Sequence, residues 1–241
     1  MQPVVKSETM TPKFSAADIP MFSVLPPAVL AVLDRAVVWR RFRAGEEIID
    51  RQSESRDVFF VVSGKVRVVL YSVSGREITL DDIGPGGHFG ELAALDGAPR
   101  SASVMAVEAS VVASLGDETF RKVATETPAL ALAVMRRLAE VVRTSSGRIL
   151  DLSTLGANNR VHAEILRLAR AAARSEGGSA AISPIPVHSD LASRVSTTRE
   201  TVARVMSDLS RQGILKREKN ALLVLDVPRL AAIVEDVRGE P

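Results

Sequence analysis

The apolar positions along this chain change period more than once. Over residues 19–35, Phe22, Leu25, Val29, Leu30 and Leu33 recur at helical spacing, and Pro26-Pro27 stands where a helix would start. Over residues 39–115 the texture turns β-rich, with short runs at 58–62, 66–71, 77–80, 103–107 and 110–115. Turn signals separate them: Ala44-Gly45, Ser63-Gly64, Ser74-Gly75 and Gly84-Pro-Gly-Gly87. Many short strands at close spacing predict an antiparallel sandwich or jelly roll rather than alternating βαβ units.

From Asp117 the helical period returns, and after Pro128 one long helix is predicted to about residue 155. Its heptads place Met135, Val142 and Ile149 at one seam position, with Leu138, Ser145 and Leu152 three residues later. Such a stripe packs a helix on its own domain or across a dimer. Thr144-Ser145-Ser146 interrupts it with a polar block, which weakens a purely structural coiled coil and suits a face turned to something polar. Residues 155–159 break the pattern, with Gly156 as a hinge and Asn158 or Asn159 as a cap for the next helix. An alanine-rich helix follows over 160–174, then a Gly/Ser/Pro loop over 175–186 and short helices over 189–194 and 198–212. A β-hairpin from 214–217 and 222–225 turns near Lys219-Asn220.

Composition narrows the classes. The 241 residues are 46% apolar and 25% charged, an ordinary globular make-up long enough for two modest domains. With 4% aromatics an aliphatic core is expected. Cysteine is absent, which removes disulfides, thiolate zinc sites, cysteine-ligated clusters and cysteine nucleophiles. No apolar run approaches the roughly 18–20 residues of a membrane span. Residues 1–13 lack the apolar stretch of a secretory signal, so residues 1–19 read as a flexible arm and the chain as cytoplasmic. The net charge of +2 looks too small to announce a nucleic-acid partner, but it is unevenly spread. Residues 1–150 carry 18 basic and 18 acidic groups, whereas residues 188–219 carry seven basic against four acidic.

Two motifs carry chemistry. In Phe89-Gly-Glu-Leu-Ala-Ala-Leu-Asp-Gly-Ala-Pro-Arg100-Ser101-Ala102, a glycine at a strand end leads into a short helical turn whose free N–H groups can hold a phosphate. Nine residues beyond Glu91, Arg100 offers that anion a planar fork, and Ser101 adds a hydroxyl. A carboxylate beside a phosphate repels it unless it accepts from a sugar hydroxyl, so the set describes one phosphate and one ribose held together. The second motif runs from His188 to Leu209. At about 100° per residue, Val202, Val205, Met206 and Leu209 form one face of a helix, and Arg199, Glu200, Ala203 and Arg204 spread over about 140° of the other. Arginine reads guanine bidentately in the major groove and glutamate accepts from cytosine N4. Thr197 or Thr198 supplies the N-cap. A short helix, a tight turn and a basic hairpin with Lys216, Arg217 and Lys219 surround this face, which makes a winged helix-turn-helix.

The first motif resembles the phosphate-binding cassette of cyclic-nucleotide-binding domains. Ser-Gly-Lys-Val66 and Gly-Pro-Gly-Gly-His-Phe-Gly90 match that family's β-roll across roughly residues 20–118. The resemblance implies a cassette of Gly90, Glu91, Leu92, Arg100 and Ser101, with Glu91 on the ribose 2′-hydroxyl, Arg100 and Ser101 on the cyclic phosphate, and Val68 and Leu80 along the purine. The two motifs in this order, joined by a long helix, are similar to the cyclic-AMP receptor protein (catabolite activator) and FNR family of bacterial transcription regulators. That likeness implies an α+β chain: a flexible arm over 1–19, a cyclic-nucleotide-binding β-roll (jelly roll) over 20–118, a central dimerisation helix and hinge over 119–156, and a winged helix-turn-helix over 157–241. It implies cAMP or cGMP as allosteric effector, a homodimer through the 128–155 helix, RNA polymerase as a partner, and double-stranded DNA with palindromic half-sites about 34 Å apart. Thr198, Arg199, Glu200 and Arg204 would contact a half-site, with Lys216 and Lys219 on the backbone. Ser145-Ser146, with Thr144 adjacent, aligns with the Thr-Ser pair that meets the purine in cyclic-AMP-binding members.

The sequence departs from the family in that pair and in Gly156, where some relatives carry a hinge acid. The segment 226–241, a short helix beginning at Pro228, extends past the usual wing. Enzyme readings fare poorly. A metal-dependent cupin needs clustered histidines, and His88, His162 and His188 fall in three different elements. No nucleophile elbow or Walker A sequence is present. The rival reading is a regulator of the same fold with another effector, such as haem at His88, or with none.

Overall fold

The structure, a computed structural model, describes residues 8–9, 14–172, 174–175 and 178–238. Two compact units emerge, residues 1–140 and 141–241. The first opens with β1 (Glu8–Thr9), two 3-10 turns (Ala16–Asp18 and Pro20–Val24) and α1 (Pro27–Ala36). The helical spacing expected over 19–35 therefore divides. The helix starts at Pro27, where a missing N–H costs nothing, and the residues before it wind more tightly. Of the arm expected over 1–19, residues 1–7 and 10–13 lie outside the described residues. The remainder corrects that expectation: Glu8–Thr9 pair with Arg41 and Arg40, Phe14 stacks on Trp39 at 5.4 Å, and Ala16 and Ile19 are buried.

There follow β2 (Val38–Phe42), β3 (Glu47–Ile49), β4 (Val58–Ser63), β5 (Val66–Tyr71), β6 (Glu77–Ile83), β7 (His88–Phe89), α2 (Glu91–Asp96), β8 (Ser103–Ala106) and β9 (Ser110–Leu115). They form two antiparallel sheets, β1-β2-β9-β4-β7 and β3-β8-β5-β6. Strand β4 shows why the apolar runs are continuous, since both of its faces are buried. Phe59 and Val61 pack between the sheets with Phe42, Val66, Phe89 and Val112. Val58 and Phe60 pack on the other side against Phe22, Leu33, Phe120 and Leu130. Phe120 lies on α3 (Asp117–Glu126), and Leu130 on α4 (Pro128–Thr154). Between β5 and β6 the register jumps from Val68↔Asp81 to Val69↔Thr79, which leaves Leu80 as the extra residue of a bulge.

The second unit takes the end of α4, then α5 (Ala157–Ala171), β10 (Arg174–Ser175), β11 (Ser179–Ile182), α6 (His188–Arg194), α7 (Arg199–Arg211), β12 (Leu215–Arg217), β13 (Leu222–Val224) and α8 (Val227–Arg238). The loop expected over 175–186 holds a strand instead: Ala180 pairs with Val224 and Ile182 with Leu222, so the wing sits in a sheet ordered β10-β11-β13-β12. Ala180 and Ile182 face the core, and burial overrides the weak local signal of Gly and Ser. The N-cap of α5 is Gly156, with extended backbone, and both asparagines lie inside the helix rather than capping it. The unit's core joins Val161, Ile165, Leu191, Val202, Leu209 and Leu230. Among the described residues no helix is long and apolar enough to cross a membrane.

Candidate functional site

Gly90 follows β7 and caps α2 with φ +82°, a left-handed conformation that side chains resist. A Cβ there would stand 2.8 Å from Arg100 Nη1 and 2.9 Å from the Asp57 carbonyl oxygen, so glycine is needed for space as well. Through that gap Arg100 folds back. Its Nη1 donates to the Gly90 carbonyl at 2.9 Å, and its Nη2 donates to the Asp57 carbonyl at 2.9 Å and to Ser55 Oγ at 3.0 Å. The guanidinium also lies 6.0 Å from the Phe59 ring centre. Its Nε is buried and makes no hydrogen bond.

Glu91, first residue of α2, is 7% exposed and Arg100 4%. Burial pushes the Glu91 carboxyl up; its backbone hydrogen bond and the nearby Arg137 and Arg100 charges oppose this. Burial likewise pulls Arg100 down, against Asp57 and Glu91. Two opposite charges are thus held in a dry place without neutralising each other through a direct hydrogen bond, an arrangement that suits a polar ligand better than a core. Of the other cassette residues, Leu92 and Ser101 are exposed. Val68 packs against the inter-sheet core, and Leu80 is the bulge residue of β6, half-buried. Thr144, Ser145 and Ser146 are exposed on α4 in the second unit. So are Val142 and Ile149 of the seam, at 63% and 65%.

Three residues of this site escape a sequence reading. Ser55 and the Asp57 carbonyl orient Arg100 from a loop more than forty positions earlier. Arg137 of α4 reaches the roll and binds Asp81 of β6, Nη2 to Oδ2 at 2.5 Å. An arginine in a long amphipathic helix reads as a solvated face, and nothing local names a partner 56 positions away.

In the second unit, α7 starts on Thr198, whose Oγ1 accepts from the Thr201 N–H at 3.2 Å. Val202, Val205 and Leu209 bury one face of this helix, and Arg199, Glu200 and Arg204 stand exposed on the other. The Glu200 carboxyl is held below its usual range by its backbone hydrogen bond and by Thr198. Arg204 reaches Asn158 of α5 at 3.4 Å. On the wing, Lys216 pairs with Glu218 at 3.6 Å, and Arg217 and Lys219 are exposed. One further arginine binds this unit together: Arg160 donates to the carbonyls of Leu155 (2.8 Å), Val195 (2.8 Å) and Ser196 (3.1 Å). It ties the end of α4 to the turn before the exposed face of α7.

Comparison with known proteins gives these features relatives. Residues 39–127 match the cyclic nucleotide-binding domain family, and residues 159–233 the Crp-like helix-turn-helix domain. The cyclic AMP receptor protein of Thermus thermophilus is 31% identical over 218 residues, 90% of this chain and 96% of that one. The chain belongs to the cyclic AMP receptor protein and FNR family of bacterial transcription regulators. A CRP-like cAMP-activated global transcriptional regulator of Mycobacterium tuberculosis is 26% identical over 88% of this chain and 94% of its own. The crystal structure of a CRP-family transcriptional regulator from Thermus thermophilus superposes with a TM-score of 0.64 at 27% identity, over 83% of this chain and 99% of that one.

Membership in this family makes the chain a regulator and not an enzyme. The first matched segment contains Gly90, Glu91, Arg100 and Ser101, and the second contains the whole of α7 and the wing. The helix-turn-helix match runs to residue 233, into α8, so most of that helix belongs to the family's domain.

Proposed function

We propose that this regulator binds a palindromic operator as a homodimer, and that a cyclic nucleotide, cAMP or cGMP, controls its affinity. The observation that carries the reading is the buried pair Glu91 and Arg100 around Gly90, where a Cβ would close the space the guanidinium needs. Arg100 keeps a buried Nε without a partner, a donor suited to an anion. Glu91 would take the ribose hydroxyl, Arg100 and Ser101 the phosphate, and Val68 and Leu80 the purine. Ser145 and Ser146, with Thr144 beside them, would meet the purine from the central helix. The exposed seam of Met135, Val142, Ile149 and Leu152 is an apolar stripe of the kind that pairs helices, which supports the dimer through α4. Arg199, Glu200 and Arg204 would read bases, and Lys216 and Lys219 would hold phosphates.

Ligand binding would act by population shift, favouring an arrangement of the two reading helices that fits successive major grooves. The deciding measurement is DNA binding to a palindromic site with cAMP, with cGMP and with neither, beside calorimetric titration of both nucleotides into the native chain and Arg100→Leu. Nucleotide-dependent DNA binding that Arg100→Leu abolishes is expected. Equal nucleotide binding by both proteins would overturn the pocket.

A further inference from the structure

The turn between α6 and α7 is held by a residue that belongs to neither helix. Val195, the C-cap of α6, has φ −105° and ψ 13°, and Ser196 follows at φ +51°. Among the described residues Ser196 is the one non-glycine with positive φ, a left-handed conformation that a side chain resists. Strain of this kind persists only where the surroundings over-determine the backbone. Arg160 of α5 supplies that constraint. Its Nε and Nη2 share one edge of the planar guanidinium and donate to the consecutive carbonyls of Val195 (2.8 Å) and Ser196 (3.1 Å). Its Nη1 donates to the Leu155 carbonyl at 2.8 Å, where the chain leaves α4. Two positions earlier, Asn158 Oδ1 accepts from Arg204 Nη2 of α7 at 3.4 Å. One turn of α5 thus holds both the approach to α7 and a side chain on its exposed face.

We propose that Arg160 is a positioning residue for base reading: it fixes the angle at which α7 leaves the turn, and so aims Arg199, Glu200 and Arg204 together. The inference rests on the reading of α7 as the helix that meets base edges. Thr198, the N-cap of α7, stands two residues beyond Ser196, so a rotation at the turn passes to the whole helix. Bidentate contact of arginine with guanine requires two aligned hydrogen bonds, and a helix that rocks about its turn loses that alignment before it loses attraction to phosphates. The clamp requires arginine because its three carbonyls lie along both sides of a planar fork. An ammonium keeps the charge but presents its donors from a single atom. Leu155 gives the clamp its base, so the seat of α7 is set by the end of α4 as well as by α6.

The test compares specific and non-specific DNA binding by the full chain. A palindromic site is first selected from random DNA by the native chain, with cAMP and without it. Affinities for that site and for unrelated DNA are then measured beside thermal unfolding. Arg160→Lys is expected to lose about tenfold in preference for the selected site, within the discrimination of one bidentate base contact, while binding unrelated DNA as the native chain does. Ser196→Gly, which takes a positive φ without strain, separates aiming the helix from propping the turn. In the double variant, melting is expected to recover toward native while the preference stays lost. Recovery of both would show that Arg160 only props a strained turn, and overturns the proposal. A native preference in Arg160→Lys, or an equal loss on both DNAs, overturns it as well. The base-reading role of α7 then still stands if Arg199→Ala redistributes affinity among single-base variants of the selected site. If the native chain selects no site, that role fails and the positioning with it.

Discussion

Arg100 Nη1 donates to the carbonyl of Gly90 at 2.9 Å, so the glycine that begins the cassette and the arginine near its end hold each other in place. Each depends on the other. The left-handed backbone at Gly90 presents its carbonyl, and the missing Cβ leaves room for the guanidinium. Gly90→Ala should therefore strain the backbone and displace Arg100 together, at a stability cost of about 1–3 kcal/mol. Thermal unfolding and nucleotide titration check it. A variant with native melting and native affinity would show that the cassette does not depend on this contact.

Much of the fold was legible because it rests on local periodicity. Strand β4 read correctly from a run of apolar β-formers, and the 27-residue helix α4 from its heptads and Pro128. The reading failed where a residue's role is set by something distant. Ser179–Ile182 has no strand pattern of its own and becomes one by pairing with Leu222–Val224. Phe14 and Ala16 looked like part of an arm until Trp39 and the roll's helices gave them a surface to pack on. In the site, Glu91 and Arg100 carry a motif, whereas Ser55 and Arg137 act through partners 45 and 56 positions away.

His88 supplies a pH dependence. It is 4% exposed, and burial first, then the Arg137 charge, lowers its pKa from 6.5 to about 4. The folded chain therefore binds fewer protons than the unfolded chain between those values, so His88's share of stability is present above pH 6.5 and is lost as pH falls toward 4. The shift corresponds to a loss of about 3 kcal/mol over that window. His88→Phe fills the same space without a titrating group. Its stability relative to the native chain should improve by that amount between pH 7 and pH 4 in denaturant unfolding. Parallel pH profiles for the two proteins would refute the assignment.

Glu91 has the opposite sign. Its carboxyl is raised by burial, so the folded chain holds the proton longer, and stability falls as pH rises from its ordinary value through the raised one. Glu91→Gln should accordingly be more stable than the native chain at pH 7 while binding cyclic nucleotide less tightly, the exchange of stability for function expected of a buried site charge. Unfolding and titration at pH 7 give both readings. A variant that is less stable and binds normally would contradict them.

The C-terminal helix gives a prediction free of any ligand. Leu230 of α8 is fully buried against the core that also holds Val161, Ile165 and Leu209. Leu230→Ala should cost the second unit about 2–5 kcal/mol, the usual range for a buried leucine. A native unfolding profile in that variant would mean the helix is dispensable to the domain.

The two classes of DNA contact should separate by what they change. Arg199 stands exposed at the first turn of α7, a turn fixed by the Thr198 cap, and bidentate arginine contact discriminates a guanine by about 1–3 kcal/mol. Arg199→Ala should erase preference at one base pair of each half-site and leave the others intact. Lys219, at the exposed tip of the wing hairpin, has no such geometry to offer and would meet only phosphate charge. Lys219→Ala should weaken every sequence alike and flatten the salt dependence by about one unit of slope per monomer. Binding to a panel of single-base operator variants at two salt concentrations distinguishes them. Uniform loss from both changes would mean that α7 sits on the backbone rather than reading bases, because a readout residue cannot be removed without redistributing affinity among sequences.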